Sequence, residues 1–235
     1  MARKKTGTYL SPGEAVGGTI FFFIYLLALP FVTGPLFDLV GLLLDVRIGQ
    51  QLQNTIYYYV LFAVTIIIFH GMLGRTSQKL ADNVGTACKV LAAGLIALYG
   101  LNELVYRLTR AVAGNQTNLN DVSITAQIDA APRTTMLIVI LLAPFVEEVL
   151  FRGLVFGGLR EKSRPLAYAA SCLLFAFLHV WQFALGNHDV TYFWLMVQYL
   201  VPGLVLAWVY DHSGTLWASV GLHAAANALS VWPLL

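Results

Sequence analysis

Residues 141–158 read Leu-Leu-Ala-Pro-Phe-Val-Glu-Glu-Val-Leu-Phe-Arg-Gly-Leu-Val-Phe-Gly-Gly, and both the fold and the chemistry turn on them. Two adjacent glutamates and an arginine stand inside a run that otherwise has the composition of a lipid-soluble helix. A charge at the centre of a membrane helix costs roughly 2.5–3.5 kcal/mol on insertion scales. Groups retained at that cost are functional candidates, so Glu147, Glu148 and Arg152 set the question for the rest of the chain.

The surrounding composition agrees with a membrane environment. Of 235 residues, 58% are hydrophobic and 11% charged, and the mean hydropathy is +0.73. Soluble domains carry about 25% charged residues. The reading is therefore an all-α, polytopic transmembrane bundle whose constant partner is the lipid bilayer. A net charge of +2 gives no footing for nucleic acid. Cys88 and Cys172 fall in separate apolar runs and read as buried thiols rather than a disulfide or a metal site. The basic start Arg3-Lys4-Lys5 resembles a secretory signal, but the apolar run of residues 15–37 is too long for a signal core. No clear A-x-A site follows, so it reads as a retained first span.

About 20 apolar residues cross the hydrocarbon core. On that measure the spans are residues 15–33, 55–73, 85–108, 134–158, 166–185, 191–210 and 215–232. Residues 35–44 are apolar but short and carry Asp38, which fits an interfacial or re-entrant piece, giving about seven to eight embedded helices. Residues 109–133 form the one long hydrophilic connection, with a glycosylation-like Asn115-Gln-Thr117. Pro144 and the pair Pro202-Gly203 should kink or break their helices. Residues 1–133 thus read as amino-terminal helices with an extracytoplasmic loop, and residues 134–235 as a second unit, the transmembrane core that carries the intramembrane charges.

Basic residues set the orientation. An amino terminus inside collects Arg3, Lys4, Lys5, Arg75, Lys79, Lys89, Arg160, Lys162 and Arg164 on the cytoplasmic side. It leaves Arg47, Arg107, Arg110 and Arg133 outside, with Arg152 in the membrane. The expectation is a multi-pass protein of a bacterial plasma membrane with a cytoplasmic amino terminus. Nothing in the sequence sets an oligomeric state.

Two further spans carry buried polar groups, Phe175-Ala-Phe-Leu-His179 and His223-Ala-Ala-Ala-Asn227. In each, the i,i+4 spacing puts both named residues on one face, and the same spacing pairs Glu148 with Arg152. At about 1.5 Å per residue, Glu147, His179, His223 and Asn227 lie roughly 16, 20, 12 and 18 Å from the cytoplasmic ends of their spans. Antiparallel helices therefore bring all four to a similar depth, where they could line one cavity. A desolvated carboxylate can act as a general base there, with an imidazole holding the water. A second histidine and an amide can donate to an oxyanion. Glu147, His179 and His223 are equally a donor set for zinc with an open water position. No cofactor is demanded by the residues, and they do not choose between the two.

Glu147-Glu148-x-x-x-Arg152, Phe175-x-x-x-His179 and His223-x-x-x-Asn227 together resemble the three signature motifs of the CPBP family. That family comprises type II CAAX prenyl endopeptidases and related bacteriocin-processing or immunity proteins. The resemblance covers residues 136–235. It implies an intramembrane endopeptidase with α-helices around a cytoplasm-facing polar cavity, acting on a membrane-associated peptide or protein. Carried over by position, Glu147 with His179 activates water, and His223 with Asn227 stabilises the oxyanion. Glu148 and Arg152 are supporting residues. The family is labelled both metalloprotease and glutamate-dependent protease. A bacteriocin-immunity or scaffold protein, or a proton-coupled transporter, is the alternative class.

Simpler roles stand beside these. Glu148 and Arg152 could be only an ion pair, and Asn227 could only join helices. Glu103 and Arg107 read as a surface pair. His70, His188 and His212 read as interfacial. Tyr57, Tyr58, Tyr59, Trp194, Trp208, Trp217 and Trp232 read as interface anchors.

Overall fold

The structure, a computed structural model, describes residues 9–113 and 118–234. Six helices are long and apolar enough to cross a membrane, and a shorter apolar one follows. They are α1 (Pro12–Leu44), α2 (Gln50–Asp82), α3 (Val84–Ala113), α5 (Pro132–Arg160), α6 (Arg164–Gly186), α7 (Met196–Ser213, entered through a 3-10 turn at Val190–Leu195) and α8 (Leu216–Val231). A polar helix, α4 (Leu119–Ala130), lies between α3 and α5.

Four of the helix starts are written locally. Ser11 Oγ accepts the Glu14 N–H while Glu14 accepts the Ser11 N–H, a capping box with Pro12 in the first turn. Asn118 caps α4, Ser163 caps α6 and Thr215 caps α8 through their side chains. Gly214, at φ 68°, ends α7 in the left-handed conformation that a side chain would disfavour.

Three expected boundaries are corrected. Residues 35–44 are not a re-entrant piece; they continue α1 through Pro30 and Pro35. Hydrocarbon offers no water for freed backbone groups, so a helix that carries on satisfies more of them than one that stops. Residues 109–133 are not a loop, because α3 runs on to Ala113 and α4 follows. Pro202 does not break α7, which is continuous around it. The Asn115–Thr117 tripeptide and Arg3-Lys4-Lys5 lie outside the described residues.

α5 is the central helix: 61% of its most apolar window is buried, against 39% for α6. Phe151 on α5 meets Phe22 of α1 and Phe175 of α6 edge-on, each at 5.5 Å. One apolar core draws on both halves of the chain, including Phe69, Leu98, Tyr210 and Leu222. Gly94 allows α3 to approach α7 and α8, since a methyl there would stand 2.4 Å from Val209. Outward side chains such as Ile20, Leu42, Ile67 and Ile96 are exposed apolar groups, as a lipid-facing surface requires. Cys88 is among the exposed residues and only Cys172 is a buried thiol.

α2 bends at Phe69 (φ −106°, ψ 17°) without a proline. Buried Glu14 accepts the Met72 N–H at 2.5 Å just beyond the bend and pairs with Arg75. On the opposite edge, α4 is tied down twice. Asn54 donates to Gln127 at 3.2 Å and Gln51 to the Ala130 carbonyl at 2.9 Å, both from α2. On the α7 side, the Asn118 amide donates to Gln198 and its oxygen accepts from Tyr199, both at 3.0 Å.

Candidate active site

Within α5 the backbone leaves α-helical register twice, as π-helical turns at Ile138–Leu142 and Val149–Phe156. The first turn stands directly before Pro144. There the Ala143 N–H bonds the Ile138 carbonyl, five residues back. In that register the next carbonyl, Val139, would take its bond from residue 144, and proline has no N–H to give. Asn227 of α8 fills the gap, donating to Val139 at 2.8 Å. One amide hydrogen of Asn227 is thus engaged, and the second remains for a ligand.

Between those two turns the glutamates face different partners. Glu148 is fully buried, and its Oε1 accepts from Arg152 Nη1 at 2.9 Å. The same oxygen stands 2.9 Å from Nδ1 of His223. Arg152, also fully buried, donates from Nη2 to the Gly203 carbonyl at 3.0 Å. Its guanidinium lies over the Phe175 ring, 4.4 Å from the centroid. Glu148 and Arg152 therefore lock α5 against α6, α7 and α8.

Glu147 has no such partner. Its Oε2 is buried without a hydrogen bond among the described residues, facing His179 Nε2 at 3.8 Å and His223 Nε2 at 3.9 Å. The other nitrogen of each ring is engaged. His179 Nδ1 is 2.8 Å from the Phe175 carbonyl, and His223 Nδ1 meets Glu148. A carbonyl and a carboxylate only accept, so each ring, when neutral, carries its hydrogen on Nδ1 and leaves Nε2, the nitrogen nearer Glu147, as an acceptor. Three acceptors converge on one point. A water molecule, with two hydrogens to give, can satisfy Glu147 and one of the two imidazoles.

The sequence-derived residues thus come together: Glu147, His179, His223 and Asn227 all line one cavity of about 610 Å³. Zinc suits the donor types but not their spacing. Zinc bonds of about 2.0–2.1 Å in a tetrahedron set ligand atoms about 3.3–3.4 Å apart, closer than the 3.8 and 3.9 Å seen here. Among the described residues no group of three His, Cys, Asp or Glu is placed to hold a metal ion. The residues in this arrangement do not fit a metal.

Sequence reasoning missed two parts of the site. Tyr58 lines the cavity instead of only anchoring an interface. Tyr199 stacks on His179, with ring centroids 4.4 Å apart and planes at 24°. An aromatic one turn from a helix start carries no distinguishing sequence signal; only the fold shows which ring it meets. By contrast, Glu103 and Arg107 form the expected exposed pair at 2.7 Å.

The cavity also has a definite side. Its rim includes Asn102, Asn120, Thr125, Gln127, Gln198 and Ser230, all on α4 or near the helix ends adjoining it. The amino-terminal segment is at the other end, where Tyr9 donates to the Gly214 carbonyl and Arg75 donates to Tyr9. The α4 side of the cavity and the amino-terminal segment thus lie at opposite ends of the bundle.

Residues 130–229 match the family model for type II CAAX prenyl endopeptidase Rce1-like proteins. The chain is also similar to UPF0177 protein YxdF of Lactococcus lactis subsp. lactis (strain IL1403), 28% identical over 87 residues. That match covers 37% of this chain and 42% of the relative, so it spans less than half of either. No solved structure matches. The matched segment holds Glu147, His179, His223 and Asn227 on converging helices, and residues 130–229 are similar to the Rce1-like type II CAAX prenyl endopeptidase family.

Proposed function

We propose that this chain is an intramembrane endopeptidase that hydrolyses a peptide bond of a membrane-associated protein or peptide. The carrying observation is Glu147 Oε2, buried with no hydrogen bond among the described residues and facing an imidazole nitrogen of both His179 and His223 in the cavity they share. A water held there donates one hydrogen to Glu147 and one to His179. As its oxygen attacks the carbonyl carbon, a proton passes to Glu147. The oxyanion receives the free amide hydrogen of Asn227. When the C–N bond breaks, the departing amine takes the proton from Glu147, which restores the carboxylate.

His223 has a narrower part. Neutral, it has no hydrogen on Nε2 and takes no hydrogen from a water that donates to Glu147 and His179. It becomes an oxyanion donor only when protonated. Glu148 and Arg152 position and Glu147 reacts. The family supports proteolysis, and the donor spacing supports the glutamate mechanism over a zinc one. The protein is a multi-pass membrane protein by its helices, and the basic residues support a cytoplasmic amino terminus in a bacterial plasma membrane.

The test is cleavage by purified Glu147→Gln and His179→Ala chains in lipid. General-base catalysis contributes about 10²–10⁴-fold, and losses of that size are expected. Full turnover in Glu147→Gln would remove the assignment.

A further inference from the structure

An oxyanion formed beside Glu147 receives one hydrogen from Asn227, whose other amide hydrogen is held by Val139. Neutral His223 has none to add, because its hydrogen is on Nδ1 against Glu148. Catalytic sites of this kind set preorganised donors where the negative charge develops, and a second donor has a place to fill. We infer that the Tyr58 hydroxyl is that donor. It comes from α2, outside the matched residues 130–229, and its role rests on the endopeptidase reading.

Tyr58 lines the cavity that Glu147 and Asn227 share. One turn along α2, Phe62 packs on Phe145 of α5 with ring centroids 4.8 Å apart, and Phe145 is two residues before Glu147. Both helices start at the α4 end, where Gln51 of α2 bonds Ala130 and Thr135 of α5 bonds Gln127. Tyr58 is therefore about 6 Å nearer the rim than Phe62, at 1.5 Å per residue. α8 runs the other way, from Thr215 bonded to Thr76, towards Ser230 at the rim. Asn227 is thus about 6 Å nearer the rim than His223. The two donors stand on the rim side of the carboxylate, one on α2 and one on α8. Glu147 also lies near enough to act electrostatically on Tyr58.

The fold makes no use of this hydroxyl. Among the described residues it has no hydrogen bond, and the ring meets Tyr57 edge-on at 5.2 Å. The other tyrosines are worse placed. Tyr199 gives its hydrogen to Asn118, Tyr106 is 51% exposed, and Tyr57 does not line the cavity. A phenol supplies one O–H on a side chain with few torsions to fix. Its hydrogen bond strengthens as the carbonyl oxygen gains charge and relaxes when the C–N bond breaks. Tyr58 keeps its proton throughout, and Glu147 alone carries the one taken from water.

The experiment compares Tyr58→Phe, Tyr57→Phe and Glu147→Gln in the full chain, in lipid, on membrane-anchored quenched-fluorescent peptides of mixed sequence. Tyr58→Phe keeps the ring and deletes the donor. It should lower kcat about 100-fold, the scale of one lost oxyanion donor, with KM and Tm nearly unchanged. Tyr57→Phe should leave kcat as it is. A fall in Tm for Tyr58→Phe would show a hydroxyl already engaged in the fold and overturn the inference. A rise in KM at constant kcat would make Tyr58 a ground-state contact only and overturn it equally. Full kcat in Tyr58→Phe beside a silent Glu147→Gln removes the inference and leaves the endopeptidase standing. Full turnover in Glu147→Gln removes both.

Discussion

Asn227 on α8 donates to the Val139 carbonyl on α5 at 2.8 Å, the carbonyl that Pro144 leaves without a backbone partner. A single side chain thus joins two helices and leaves its second amide hydrogen in the cavity that Glu147 also lines. Asn227→Ala should lose cleavage and also stability, since an unsatisfied buried acceptor costs about 1–3 kcal/mol. Pro144→Ala restores a backbone N–H and should shrink the stability loss without restoring cleavage. Thermal unfolding of the two single variants and the double variant measures this coupling. Additive losses would show that the proline and the amide act separately.

Glu148 serves two donors with one oxygen, and substitution should separate its two duties. In Glu148→Gln the Arg152 charge loses its counter-charge in a fully buried setting, a loss of about 3–5 kcal/mol for a broken buried pair. The His223 tautomer also loses its fixed acceptor, and turnover should fall about 10–100-fold, as for other groups that orient a catalytic imidazole. Adding Arg152→Met removes the stranded charge. The double variant should regain stability and stay slow, a combination that a purely structural ion pair would not give.

The parts of this site legible in the sequence are those set by helix arithmetic. The pairing of Glu148 with Arg152 follows from i,i+4 spacing. The convergence of Glu147, His179 and His223 follows from equal depth in antiparallel spans. Contacts made across helices had no such handle: Glu148 with His223, Tyr199 on His179, and Asn227 on Val139. The polar α4 lacks an apolar stripe to mark it as a helix, although Asn118 with Asp121 is a helix start written in its first turn. The bend at Phe69 has no proline to announce it; Glu14, which binds the backbone just past it, comes from a different helix.

The spacing of the three acceptors bears on metal dependence. Glu147 stands 3.8 and 3.9 Å from the two imidazole nitrogens, wider than zinc ligation at about 2.0–2.1 Å per bond sets them. Strong chelators should leave cleavage unchanged, and added zinc should inhibit or do nothing. Loss of activity on chelation with recovery on adding zinc would show that the side chains close around an ion during turnover.

Glu14 ties the start of α1 to the bend of α2. It completes the Ser11 capping box, accepts the Met72 N–H and pairs with Arg75. Gly71 makes room for it, since a methyl there would stand 2.9 Å from the Glu14 carboxylate. Glu14→Ala removes a cap and leaves a buried N–H unpaired, together worth roughly 2–4 kcal/mol. Unfolding should fall by that amount while kcat of the surviving fold changes little, because Glu14 lies at the end of the bundle away from the cavity rim.

Tyr199 connects the covering helix to the chemistry. Its ring lies on His179 at 4.4 Å, and its hydroxyl donates to Asn118, the cap of α4. The ring limits tilting of an imidazole whose Nδ1 is already fixed to Phe175, so Nε2 keeps its aim at Glu147. Tyr199→Phe retains the stack and loses one hydrogen bond worth about 0.5–1.5 kcal/mol. It should keep kcat and alter chiefly KM, through a looser α4. Tyr199→Ala removes the stack as well and should lower kcat. Equal kcat losses in both variants would mean that the hydroxyl matters to the chemistry, while no loss in either would mean that Phe175 alone holds His179.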